Sequence, residues 1–205
     1  MVKPVVEGHV DDILQEIMQV DYGQHNLLIY SDLIALNEIY SRYFKTRLEG
    51  NEEIILFLST YQTIDNVRYV LRDADVEVAR YEGDGSLVIV DSVKGYFGSE
   101  TDLLCLIKIL SKRAQNQGTS GCSVFADMGS FYVCGKVKQL LEYEASMPLK
   151  FDCYHVGGSL IKCKAFCMYH RKDFNRLAED EKQSLFQQHY RNLIVSGRLA
   201  DWKTT

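Results

Sequence analysis

The stretch EEIILFLST, Glu52 to Thr60, is apolar without a break between its charged and polar ends. A strand that alternates polar and apolar residues can leave one face to water. This one cannot, and must be covered on both faces. The usual solution is a parallel sheet with helices packed on either side.

The rest of the chain supplies both parts. HNLLIY, from His25 to Tyr30, reads as a second buried strand, and residues 32 to 48 follow it as a helix with Leu33, Leu36, Ile39, Tyr40, Tyr43 and Phe44 spaced by three and four. A short helix over residues 9 to 20 precedes that strand, and a helix over 62 to 73 follows Thr60. Asp84-Gly85 is a hairpin signal that joins Val76–Tyr81 to Leu87–Val90. SETDLLCLIKILSKRAQNQG is a helix with a capping-box-like start at Ser99 to Asp102 and a stop at Gly118. CSVFADMG is a strand ending at Asp127, and residues 130 to 146 form a helix that Met147-Pro148 closes. IKCKAFCMYH is the last strand, and DEKQSLFQQHYRNLIV the last helix. The expected fold class is therefore α/β: a largely parallel sheet of five or more strands, flanked by helices on both faces.

With 205 residues, 46% of them hydrophobic and 25% charged, residues 1–205 make one domain with one substantial core. The formal charge of -5 argues against direct nucleic-acid binding, which needs clustered Lys and Arg to neutralise phosphates. No apolar run approaches the roughly 20 residues that span a bilayer, and the N-terminus carries acids where a signal peptide would be apolar. A cytoplasmic location is the expectation. Six cysteines (Cys105, Cys122, Cys134, Cys153, Cys163, Cys167) are then reduced thiols rather than a disulfide framework. Cys163 and Cys167 share one face of their strand, near Cys153, His155 and His170. Without a C-x-x-C knuckle or an H-x-x-x-H helix, core packing is preferred over metal binding, and no metal or cofactor is expected.

In open parallel sheets, ligands bind beyond the carboxyl ends of the strands. Those ends place Tyr30, Ser31, Tyr61, Asp91, Asp127, Tyr169 and His170 around a common edge, where aromatic rings can wall a pocket and His170 and Asp91 can orient a polar group. The competing reading is ordinary capping and core packing. Asp32 and Ser99 read as helix caps. The turn after the strand at residues 25 to 30 is Ser31-Asp32-Leu33, where a nucleotide-binding protein would carry a glycine-rich phosphate loop with Lys and Ser or Thr.

HNLLIYSD with its long helix and the following GNEEIILFLST, the middle GCSVFADMGSF, and the late KAFCMYHRKDF and QHYRNLIVSG together resemble the MEDS domain, a sensory module of methanogen and methylotroph proteins and the dichloromethane regulator. The resemblance spans a core of about residues 24 to 197. It implies an archaeal or bacterial protein with a three-layer RecA- and KaiC-like core that lacks the Walker A phosphate loop, and a role in recognising small organic compounds. His25 matches the family's first histidine, CMYHRKDF its C-x-Y strand end, and His189 its late helix histidine, although Tyr190 stands where the family usually has proline. Such domains are often joined to a helix-turn-helix or a kinase. Here the resemblance implies signalling through a separate transcriptional regulator or kinase, or through a homo-oligomer.

The leading expectation is a non-enzymatic sensory domain that binds a small organic ligand. The alternative is a degenerate nucleotide-binding protein that uses Asp91 and Asp127 with Mg²⁺, or a phosphoacceptor using Asp91. A scaffold with no pocket is a third class.

Overall fold

The structure, a computed structural model, describes residues 5–98, 103–152, 155–156, 159–160 and 162–196, with side chains from 148 to 160 left aside. In chain order the elements are β1 (Val5–Gly8), α1 (Val10–Met18), β2 (His25–Tyr30), α2 (Leu33–Glu49), β3 (Glu53–Ser59), α3 (Ile64–Asp73), α4 (Val78–Asp84), β4 (Leu87–Asp91), α5 (Ser92–Phe97) and α6 (Leu103–Gln117). There follow β5 (Gly121–Asp127), α7 (Gly129–Val133), α8 (Val137–Asp152), the short antiparallel pair β6 (His155–Val156) and β7 (Ser159–Leu160), β8 (Cys163–His170), α9 (Arg171–Phe174), α10 (Glu179–Gln188) and β9 (Asn192–Val195).

Seven strands form one sheet in the order β1-β9-β2-β8-β5-β3-β4, and every pairing in it is parallel. Strands β2, β3 and β5 are buried along their whole length, as the apolar runs within them require. Alternate residues divide the core in two. Leu28, Tyr30, Ile55, Phe57, Phe125, Phe166 and Met168 pack under α1 to α4, whereas Leu27, Ile29, Leu56, Leu58, Val124, Cys167 and Tyr169 pack under α6, α7, α8 and α10. The result is three layers. None of the described helices is long and apolar enough to cross a membrane.

Three expectations are corrected, and one strand is added that the sequence reading leaves unassigned. Residues 78–84 form helix α4, not a strand, and Asp84-Gly85 ends that helix instead of turning a hairpin. Gly85 adopts the left-handed conformation (φ 76°) at the helix end, a position that Asp-Gly serves as readily as a hairpin turn. The strand that follows, β4, pairs parallel with β3. Second, the last apolar residues of QHYRNLIV are not helical: α10 stops at Gln188, His189 is extended, and Asn192–Val195 become β9 between β1 and β2. Third, residues 130 to 146 are two helices, and the second runs through Met147-Pro148 to Asp152, accepting the loss of one backbone donor. The added strand is β1, with which the chain opens and whose parallel pairing to β9 spans nearly the whole sequence. The Ser99 to Asp102 cap lies outside the described residues.

At the amino ends of the strands a buried ion pair joins β3 to β8. Lys164 Nζ lies 2.8 Å from Glu53 Oε1, and Tyr43 donates to Glu53 Oε2 at 2.7 Å, with Ser123 donating to the same oxygen. Burial raises the cost of the Glu53 carboxylate, yet Lys164 and these hydroxyls hold its carboxyl below the usual range.

Candidate functional site

At the carboxyl ends of the strands, β2 and β8 lie side by side, with Tyr30 paired to His170. The turn after β2 carries no glycine. Asp32 caps α2 by accepting from the Ala35 amide at 2.9 Å, and Ser31 donates to the same carboxylate at 2.9 Å. His170 begins α9, where its Nδ1 accepts from the Lys172 amide at 3.1 Å. That bond leaves the ring hydrogen on Nε2, free to donate.

Around His170 the rings gather. Tyr30 meets it edge-on with centroids 5.3 Å apart, and Tyr61 does so at 5.8 Å. The Tyr61 hydroxyl donates to Asp173 Oδ2, and its ring lies over Gly129, where a Cβ would come within 2.5 Å of it. Leu33, Tyr61, His170, Lys172 and Asp173 line a cleft of about 350 Å³. Beneath it Asp127 accepts from the Gly129 amide at 2.8 Å and from the Tyr30 hydroxyl at 3.3 Å. Burial pushes the Asp127 carboxyl up to about 6, even though the Gly129 and Thr60 amides and Tyr30 stabilise its anion. Burial and the Asp127 charge together push the Tyr30 phenol well above its ordinary value.

Of the seven residues expected at this edge, Tyr30, Tyr61, Asp127 and His170 come together. Ser31 sits half-buried in the turn beside them. Asp91 belongs elsewhere: on the outermost strand β4, it caps α5 by accepting from the Lys94 amide at 2.9 Å. Tyr169 faces the opposite way. It neighbours His170 in sequence, so strand alternation sends it through the sheet into the layer under α8. Lys172 and Asp173 complete the cleft but were not singled out from the sequence, because α9 is too short to register as an element there.

Where Tyr169 points, a second constellation appears. Its hydroxyl donates to Glu144 Oε1 at 2.6 Å. Glu144, on α8 and fully buried, presents Oε2 to His25 Nε2 at 3.1 Å and to His189 Nε2 at 3.5 Å. Cys167 Sγ lies 2.9 Å from His25 Nε2, and the two imidazole rings are 4.2 Å apart. Burial works against the Glu144 anion, but His189 and His25 hold its carboxyl far below the usual range; burial and the same anion push the Cys167 thiol well up. The sequence resemblance had marked His25, the C-x-Y strand and His189 without giving them a common place. Glu144 carried no signal, since either of the two acids in LLEYEASM reads as solvent-facing.

The match to known proteins agrees with this architecture. A KaiC-like protein of the hyperthermophilic archaeon Pyrococcus horikoshii OT3 superposes with a TM-score of 0.53 at 11% identity, covering 88% of this chain and 75% of that one. An uncharacterized protein of Pyrococcus horikoshii, crystallised in complex with an unknown peptide, superposes with a TM-score of 0.60 at 15% identity, covering 87% and 80%. At these identities the likeness concerns the fold. No curated protein matches the chain. The sequence profile of the methanogen/methylotroph, DcmR sensory domain matches residues 24–189, which include the strand-edge cleft and the buried histidine pair. The chain belongs to the MEDS family of sensory domains.

Proposed function

We propose that this protein is a non-enzymatic sensory domain that binds a small organic compound in the cleft at the carboxyl ends of β2 and β8 and signals through a partner protein or a second copy. The observation that carries the proposal is the convergence of His170, Tyr61, Lys172 and Asp173 on one cleft of about 350 Å³ at the sheet edge, in a chain whose family is sensory. Parallel sheets offer ligands this position. Tyr61 supplies a rigid apolar wall, while His170 Nε2 and the Lys172 ammonium supply donors for a polar head.

Binding without chemistry fits the turn after β2, where Ser31-Asp32-Leu33 offers neither the lysine nor the glycine backbone that grips a triphosphate. Millimolar ATP with Mg²⁺ is expected neither to be hydrolysed nor to raise the melting temperature.

Thermal-shift measurements with methylamines, short alcohols and short carboxylates test the cleft. A ligand at a hundred times its dissociation constant stabilises by about 2.7 kcal/mol, which for a chain of this size raises the midpoint by about 5–10 °C. The shift should vanish in Tyr61→Ala and His170→Ala and survive in Asp91→Ala. Equal shifts in all three variants would move the site elsewhere.

A further inference from the structure

The buried constellation of His25, Glu144, Cys167 and His189 is larger than hydrogen bonding explains. All four side chains are essentially inaccessible, and one ligand atom from each lies within 4.8 Å of the others. His189 Nδ1 is 2.7 Å from the Leu185 carbonyl oxygen, which can only accept, so Nδ1 carries a hydrogen. Its Nε2 then faces Glu144 Oε2 with a lone pair, or with a second proton. A lone pair against a buried carboxylate is repulsive. A charge-assisted N–H to carboxylate bond would close to roughly 2.7–2.9 Å, whereas the observed gap is 3.5 Å, and neither atom meets hydrogen-bond geometry. A cation between them removes the conflict.

We propose that these four side chains form a closed tetrahedral site for a divalent transition metal ion, zinc by its chemistry, with His25 Nε2, His189 Nε2, Cys167 Sγ and Glu144 Oε2 as ligands. With zinc bonds of about 2.0–2.3 Å, the edges of such a tetrahedron measure roughly 3.3–3.6 Å. Three of the six edges, at 2.9, 3.1 and 3.5 Å, are close to these lengths, and with all separations within 4.8 Å the side chains must draw in around the ion. Two imidazoles, a thiolate and a carboxylate form a donor set that suits zinc. A dication balanced by one thiolate and one carboxylate also leaves the buried site neutral.

The surroundings are built for such a site. Tyr169 occupies Oε1 of Glu144 and so aims Oε2 inward. The Leu185 carbonyl fixes the His189 tautomer and ring. Outer partners of this kind orient metal ligands and select the coordinating atom. Four protein ligands leave no open position, so the ion is structural and not a Lewis acid for substrate. It ties β2, β8, α8 and the end of α10, which are distant in sequence. The site lies on the opposite face of the sheet from the His170 cleft, and neither proposal depends on the other.

Elemental analysis of protein expressed with zinc supplementation should find about one zinc per chain. Apo-protein, prepared with a chelator under reducing conditions, should take up one Co²⁺ per chain, with the intense visible bands of tetrahedral cobalt and a near-ultraviolet thiolate charge-transfer band. X-ray absorption of the zinc protein should give one sulfur and three nitrogen or oxygen neighbours. Folded Cys167→Ala should lose the charge-transfer band. Should that variant fail to fold, the wild-type absorption spectrum decides alone, because among the described residues this is the one cluster that offers a sulfur together with nitrogen and oxygen ligands. Failure of the apo-protein to bind zinc or cobalt, a first shell with no sulfur or several, or a charge-transfer band that persists in Cys167→Ala would each overturn the assignment.

Discussion

The hydroxyl of Tyr169 donates to Oε1 of Glu144 at 2.6 Å, linking the central strand β8 to helix α8 across the layer that covers it. Tyr169→Phe keeps the ring and its edge-on contact with Phe174, centroids 5.7 Å apart, but leaves a buried carboxylate oxygen without its donor. The expected loss is about 1–3 kcal/mol, read from the urea midpoint. The response of the His170 cleft to ligands should be unchanged, because the two side chains leave the strand on opposite faces. A loss under about 0.5 kcal/mol, the range of surface substitutions, would show that Glu144 does not depend on this donor.

Lys164→Met removes the only cation within 3 Å of the buried Glu53 carboxylate among the described residues. An ion left buried without its partner costs about 3–5 kcal/mol. The pH dependence should change as well. In the wild type the Glu53 carboxyl is held below its unfolded value, so its contribution is present above about 4.5 and is lost as pH falls through the folded value. Without Lys164, burial dominates, the folded value rises above the unfolded one, and the variant should regain stability as pH is lowered. Equal losses at pH 5 and pH 8 would refute the assignment.

Asp127 carries the opposite sign. Its folded value of about 6 exceeds the ordinary 3.8, so the folded state holds the proton more tightly. Its contribution is full below about 3.8 and is lost as pH rises through about 6. Asp127→Asn keeps an acceptor for the Gly129 amide and does not titrate. The stability difference, variant minus wild type, should grow by about 2–3 kcal/mol from pH 4 to pH 7, measured by denaturation at each pH. A flat difference would place the Asp127 proton elsewhere.

Gly85→Ala tests the end of α4. At φ 76° a Cβ strains the backbone by about 1 kcal/mol, and it would fall 1.9 Å from Nη1 of Arg113, whose side chain must swing aside and give up its 3.3 Å bond to the Gly85 carbonyl. A loss of about 1–2 kcal/mol is expected, with unchanged helix content by circular dichroism.

Much of the sheet was legible because β2, β3, β5 and β8 each carry a central apolar run bounded by polar residues. The errors came where local signals are shared by two structures. Asp-Gly ends helices as well as hairpins, and NLIV continues a helical spacing until His189 turns extended. What makes NLIV a strand is the slot between β1 and β2, a nonlocal demand. The site was readable as far as strand ends go, and no further. Consecutive residues such as Tyr169 and His170 cannot serve the same face, and the expectation that put both at the cleft passed over that alternation. Glu144 was not readable, since only the fold brings that helical acid against two histidines and a thiol.

The position of β8 also dictates an order of assembly as the chain leaves the ribosome. Strands β3, β4 and β5 pair with one another and can form a sheet fragment early, but β2 finds its neighbours only in β8 and β9. Until residues 163–170 have been made, β2 has no neighbouring strand to pair with, and β1 must wait longer still for β9. Synthesis of β8 and β9 therefore joins two halves that were made apart. A nascent chain stalled before Cys163 would expose both open strand edges to whatever binds them first.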